Sequence, residues 1–168
     1  MVNSFYFPHG TLTEVLDINN KDLLVPIESL IENDHTVSMC TNPIKEDNKL
    51  IYEHDKLFIN KISKLDDNGE NNATKFYQMV YGLGEGCPKK TMIIPEFVRL
   101  FTRINKVFLS PNAIRKTDVM IDYQERDIKI YKIELCEKPN NDFIYKLFLS
   151  NTSDKFMNFY YNGLLATI

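Results

Sequence analysis

Pro95-Glu96-Phe97-Val98-Arg99-Leu100-Phe101-Thr102-Arg103-Ile104-Asn105-Lys106-Val107-Phe108-Leu109, followed by Ser110-Pro111, is the stretch on whose reading the fold class turns. Phe97, Leu100, Phe101, Ile104, Val107 and Phe108 recur at helical spacing and would form one apolar stripe. Pro95 suits the first helical position, and Ser110-Pro111 is a stop, because proline restricts the residue before it. Read this way, residues 95–109 are the main amphipathic helix of the chain. Glu96, Arg99, Arg103 and Lys106 would lie on its wet face.

Beyond this segment the period changes from that of a helix to that of strands. Residues 118–123, 127–135 and 143–149 are strand-like runs, separated by Gln124-Glu125-Arg126 and Pro139-Asn140-Asn141-Asp142. Residues 155–161 and 164–168 flank Asn162-Gly163, a strong hairpin signal. The C-terminal third is therefore expected to be an antiparallel meander with the helix packed on one face. The last strand carries few charges, which suggests an exposed or docking edge.

On the N-terminal side, Thr11-Leu12-Thr13-Glu14 has the pattern of a capping box and Pro26 is placed to open a second short helix. Residues 36–41 and 74–81 read as strands, 49–53 and 57–62 as a hairpin around His54-Asp55, and 66–72 as a polar loop. The expectation is an α+β fold: an antiparallel sheet, one main amphipathic helix and short N-terminal helices. At 168 residues it fits a single domain spanning 1–168.

Composition narrows the class further. The chain is 43% hydrophobic and 26% charged, as ordinary globular proteins are. Cys40, Cys87 and Cys136 are odd in number and far apart, which argues against a disulfide framework and for an intracellular protein, cytoplasmic or nuclear. The N-terminal residues lack the basic and apolar regions of a signal peptide, and no run approaches the ~20 apolar residues of a spanning helix. A soluble chain is expected. Scarce alanine beside abundant Asn, Lys and Ile suggests an AT-rich coding genome, such as that of a virus.

Charge is unevenly distributed along the chain. Residues 1–88 carry fourteen acids against seven bases, and residues 117–168 eight against six. Between them, Lys89, Lys90, Arg99, Arg103, Lys106, Arg115 and Lys116 face only Glu96. Such a strip suits an acidic partner, a nucleic-acid backbone or an anionic membrane surface. A solvated helix face accounts for the same pattern.

Motifs for catalysis are weak. Gly82-Leu83-Gly84-Glu85-Gly86-Cys87-Pro88-Lys89-Lys90-Thr91 has glycines, Lys and Thr, but Cys87-Pro88 interrupts the spacing that a phosphate-binding loop needs. Cys87 with His9, His35 or His54 offers no recognised nucleophile signature. No paired Cys or His ligands point to zinc. Asp118, Asp122, Glu134 and Glu137-Lys138 form too loose a pattern for a metal-dependent nuclease, and in the aromatic run Phe156, Phe159, Tyr160 and Tyr161, core packing of Phe156 with a partly exposed Tyr pair fits better than base stacking. No catalytic residue, metal or cofactor is expected.

The leading functional expectation is a non-catalytic interaction or assembly protein, in the form of a viral structural (matrix-like) or host-interaction component. It would contact a protein partner, or itself, through the basic helix face and the aromatic-rich C-terminal strands. The alternatives are a nucleic-acid-binding (RNA-binding) module using residues 89–116 and a small enzyme whose site is assembled only by the fold.

Overall fold

Residues 99–109, within the expected helix, form a hairpin and not a helix. The computed structural model describes residues 2–8, 11–16, 22–30, 35–66, 75–138, 143–150 and 155–167, and among them there is no α-helix. Arg99–Thr102 and Val107–Leu109 are antiparallel strands, with Leu100 opposite Leu109 and Phe101 opposite Phe108. Lys106, in the left-handed region at φ 55°, closes the turn, and its N–H donates to the Thr102 carbonyl oxygen. Two residues of the expected stripe are exposed, Ile104 at 63% and Val107 at 44%.

The physical reason for the misreading is two-sided burial. Leu100, Phe101 and Thr102 are consecutive and all buried, as in a strand covered on both faces. Consecutive apolar residues mimic helical spacing over such a short run. The β-branched Thr102, Ile104 and Val107, and the like charges Arg99 and Arg103 at i, i+4, weigh against helix in the same place. The Phe101 and Phe108 rings meet edge-on at 5.3 Å between centroids, a cross-strand pair that a helix would not form.

The chain divides into two units, Met1–Asp67 with Asp142–Gly163 and Asn68–Asn141 with Leu164–Ile168. The first unit begins with β1 (Val2–Pro8), β2 (Leu12–Leu16), β3 (Asp22–Pro26), β4 (Thr36–Cys40), β5 (Ile44–Glu46), β6 (Lys49–Ile51) and β7 (His54–Asp66). The second holds β8 (Phe76–Gly82), β9 (Lys90–Pro95), β10 (Arg99–Thr102), β11 (Val107–Leu109), β12 (Val119–Ile121) and β13 (Asp127–Cys136). The chain then returns to the first unit for β14 (Phe143–Ser150) and β15 (Asn158–Tyr161), and ends in the second with β16 (Leu164–Thr167).

All pairing in the first unit is antiparallel. β14 lies between β1 and β7, and β4 pairs with β7, β2 and β15, while β3 flanks β2. β7 is long because it serves two partners. Its residues from His54 to Phe58 pair with β4, and those from Ile59 to Asp66 pair with β14. β5 and β6 form a separate small hairpin whose turn residues Asp47 and Asn48 both have positive φ, as a tight two-residue turn requires. Val15, Ile27, Met39, Ile59, Phe159 and Tyr161 are fully buried in this unit.

In the second unit the strand order is β9-β8-β13-β12-β10-β16, with β11 added to β10. β13 bulges at Tyr131, between pairings of Ile130 with Tyr81 and of Lys132 with Val80. The turn from β12 to β13 is held by Asp122. Its carboxylate accepts the backbone N–H groups of Gln124 and Arg126 and pairs with the Arg126 guanidinium at 2.9 Å.

The expected α+β class is therefore corrected to an almost entirely antiparallel β fold. The capping-box segment is strand β2, because Thr13 and Val15 turn inward beside β4 and β15, and burial outweighs the local helix signal. Pro26 ends β3 and opens only the 3-10 turn Ile27–Ser29. The hairpin expected around His54-Asp55 is replaced by two pairings, β5 with β6 and β4 with β7. The C-terminal strands are not a meander: β13 pairs with β8, β14 with β7 and β1, and β15 with β4 and β2. β16 is not an exposed edge either, since all four of its residues are buried. Of the expected loop 66–72, Asp66 is the last residue of β7, and the rest, with residues 139–142 and His9, lies outside the described residues.

Candidate functional site

The first unit gathers a thiol, two phenols, an imidazole and a carboxylate from segments far apart in sequence. Cys40 ends β4 and His54 opens β7, and the two stand opposite each other in the antiparallel register. On the other side of β4, Asn158 of β15 is opposite Cys40, so Tyr160, two residues on, shares its face. Thr13 of β2 is opposite Tyr161, and one step along that pairing brings Glu14 level with Tyr160. Period-2 geometry thus directs Glu14, Cys40, His54 and Tyr160 to one side of the sheet.

The contacts bear this out. His54 Nε2 and the Tyr160 hydroxyl share a hydrogen bond of 2.7 Å, and the two rings are nearly parallel, 12° apart. The Tyr52 ring lies 4.9 Å from the imidazole. Tyr160 is 2% exposed while His54 faces solvent, so the imidazole links a buried phenol to water.

Electrostatics favour the neutral forms of the inner groups. Burial pushes the Cys40 thiol up to about 12, the Glu14 carboxylate adds to the rise, and a hydrogen bond with Tyr160 opposes it. Burial also raises the Tyr160 phenol far above its usual range, reinforced by Cys40, by a hydrogen bond with Tyr52 and by Glu14. Cys40 is therefore a poor thiolate nucleophile where it stands. The group suited to proton transfer is the imidazole, with the neutral phenol as its hydrogen-bond partner.

A cleft of about 390 Å³ lies next to this cluster, lined by Thr41, Asn42, Ile44, Ile51, Tyr52, Glu53, Lys155 and Met157. Tyr52 belongs to both. Thr41 and Glu53 close one wall with reciprocal bonds, Thr41 N–H to the Glu53 carbonyl at 3.0 Å and Glu53 N–H to Thr41 Oγ1 at 2.9 Å. Lys155 and Glu53 are paired at 3.0 Å, both well exposed, a kind of contact worth under ~1 kcal/mol that a ligand can displace.

The basic residues singled out from the sequence all fall in the second unit, and they do not make one helix face. Lys89 and Lys90 lead into β9, with the Lys89 ammonium 4.5 Å from the centre of the Tyr131 ring. Arg99 begins β10, and Arg103 and Lys106 sit in the turn after it. β8, β13 and β12 intervene between β9 and β10, so four strand spacings of ~4.8 Å along the sheet lie between the two groups. Arg103 is held by Asp127 at 2.7 Å and by the Glu125 carbonyl at 2.9 Å. Arg115 and Lys116 are exposed, and the Arg115 N–H donates to Asp118 Oδ2 at 2.7 Å. Asp118 and Asp122, weighed as nuclease ligands, thus hold their own turns. The glycine-rich run is the loop between β8 and β9, and exposed Cys87 lies within it.

Sequence reasoning placed His54 in an exposed turn, which the structure keeps exposed, and expected Tyr160 and Tyr161 to be a partly exposed pair, whereas both are buried, at 2% and 0% exposure; it did not bring His54 and Tyr160 together. The available signal was the β4–β7 register. It becomes visible only when residues 44–51 are read as a hairpin inserted between the two strands.

The sequence matches no protein-family model and no curated protein. The fold, in contrast, is found among solved structures. The bacterial intein-like domain from Clostridium thermocellum superposes with a TM-score of 0.62 at 16% identity, covering 97% of this chain and 98% of that one. An intein from a hyperthermophile gives 0.62 at 14% identity over 99% of this chain and 100% of that one. A DnaB intein from Synechocystis sp. PCC 6803 gives 0.56 at 13% identity over 98% of both chains. Inteins are protein-splicing domains and hence catalysts. The expectation of a non-catalytic assembly, viral matrix-like or RNA-binding protein without enzyme activity is corrected here: the basic helix face on which it rested is a pair of strands, and the fold is one found in inteins. What the chain shares with these proteins is the fold of inteins and intein-like domains.

Proposed function

We propose that this chain is a self-processing domain of the intein type, acting on the peptide bonds that join it to flanking polypeptide. The observation that carries the reading is the extent of the likeness: three structures of this kind match over nearly the whole of both chains. In such chemistry a side-chain hydroxyl or thiol attacks a backbone carbonyl carbon. The C–N bond breaks, an ester or thioester forms, and the proton lost by the nucleophile reaches the departing nitrogen. That transfer calls for an acid–base group at the surface of a cleft. His54, bonded to Tyr160 and ringed by Tyr52, has the position and the chemistry for it.

The test places the full chain between two reporter domains. After purification and incubation, with and without a small thiol, the products are weighed by mass spectrometry. Ligated reporters, or release of one reporter, is the expected result, and His54→Gln should slow the process by about 10²-fold or more. Reporters that stay attached under all these conditions would overturn the reading.

A further inference from the structure

We propose that Tyr160 is the positioning residue for the His54 imidazole, its phenol fixing the tautomer of the neutral ring and reversing their shared hydrogen bond when the ring is protonated. The use of this imidazole in peptide processing rests on the self-processing reading above. Its positioning by Tyr160 does not.

The argument starts from the phenol, which can donate one hydrogen bond and accept others. Tyr160 shares its 2.7 Å bond with His54 Nε2 on the outer side. On the inner side it lies among Cys40, Tyr52 and Glu14, and Glu14 is 5% exposed. With His54 neutral, the Tyr160 O–H donates to Nε2, which places the imidazole proton on Nδ1. When the imidazole takes a proton from solvent, Nε2–H becomes the donor. The phenol then accepts it and turns its own O–H inward. No proton is gained or lost by the phenol, but the direction of the chain reverses.

The groups facing this chain set its bias. Glu14 on β2 is acidic, Cys40 on β4 is held neutral, Tyr52 covers the imidazole, Asp55 follows His54, and the paired Glu53 and Lys155 line the adjacent cleft. The carboxylates favour the reversed, protonated arrangement, and the buried phenol favours the neutral one.

The experiment is histidine-selective NMR of the full chain, comparing wild type with Tyr160→Phe and Tyr52→Phe. Wild-type His54 should hold its neutral-form proton on Nδ1, and Tyr160→Phe should move it to Nε2 while the amide spectrum stays folded. Tyr52→Phe should leave the tautomer in place. If wild type already carries the proton on Nε2, or Tyr160→Phe changes nothing, the positioning role is lost. Because the readout is spectroscopic, a tautomer switch in a chain whose reporters never separate would keep the positioning role and discard the self-processing reading.

Discussion

Cys40 is a thiol that its surroundings keep protonated. Its pKa is raised from 9.0 to about 12 in the folded chain, chiefly by burial, so the unfolded chain releases this proton at lower pH than the folded one does. The stabilising contribution is therefore complete below about 9 and is lost as pH rises through 12. Tyr81, raised from 10.0 to about 12 by burial, adds to the loss in the upper part of that window. The urea midpoint should thus fall clearly between about pH 8 and about pH 10.5, and Cys40→Ala should show a shallower fall. Equal slopes for the two proteins would mean that the thiol is not buried as described. The same burial predicts that a thiol reagent labels exposed Cys87 in the native chain and Cys40 only on unfolding.

At the scale of elements, the hairpin β10–β11 makes a sharp distinction between neighbouring apolar residues. Phe101 is 1% exposed and packs on Phe108, whereas Ile104 is 63% exposed in the turn. Phe101→Ala should cost about 3–5 kcal/mol. Ile104→Asn should stay within about 0.5 kcal/mol, as surface changes do. A helix with the stripe inward would make both substitutions expensive, so a pair of urea melts decides between the two arrangements. The failure of the sequence reading here has the same cause as the contrast: consecutive buried residues on a strand covered on both faces resemble a helical stripe. Strands β13 and β14 were legible because buried and more exposed residues alternate along them, and β12 because a short β-branched apolar run lies between turns. β2 was not, because Thr11-Leu12-Thr13-Glu14 offers a good local cap that long-range pairing overrules.

For the whole molecule, the decisive contacts are non-local. Val2 is paired with Ser150, Thr13 with Tyr161 and Arg99 with Thr167. Closing such loops costs entropy before any contact compensates for it, so refolding should be slow for the length of the chain, with time constants of about milliseconds to seconds or longer. Stopped-flow refolding in the microsecond range would contradict this topology. The candidate site has the same origin. Glu14, Cys40, His54 and Tyr160 come from four strands, and no short window of sequence contains more than one of them with its partner. The basic residues show the converse: they are close in sequence, yet four strand spacings divide Lys90 from Arg99.

The sequence by itself determined the globular composition, the three separate cysteines, the strand character of most of the C-terminal third and the left-handed turn at Asn162-Gly163. These follow from side-chain size, charge, period and backbone preference, which act over a few residues. Only the tertiary structure decided that residues 95–109 are strands, that the basic segment is split, and that an imidazole meets a buried phenol beside a cleft. Those outcomes depend on which strand pairs with which, and strand pairing is settled by burial between distant segments that no local pattern encodes.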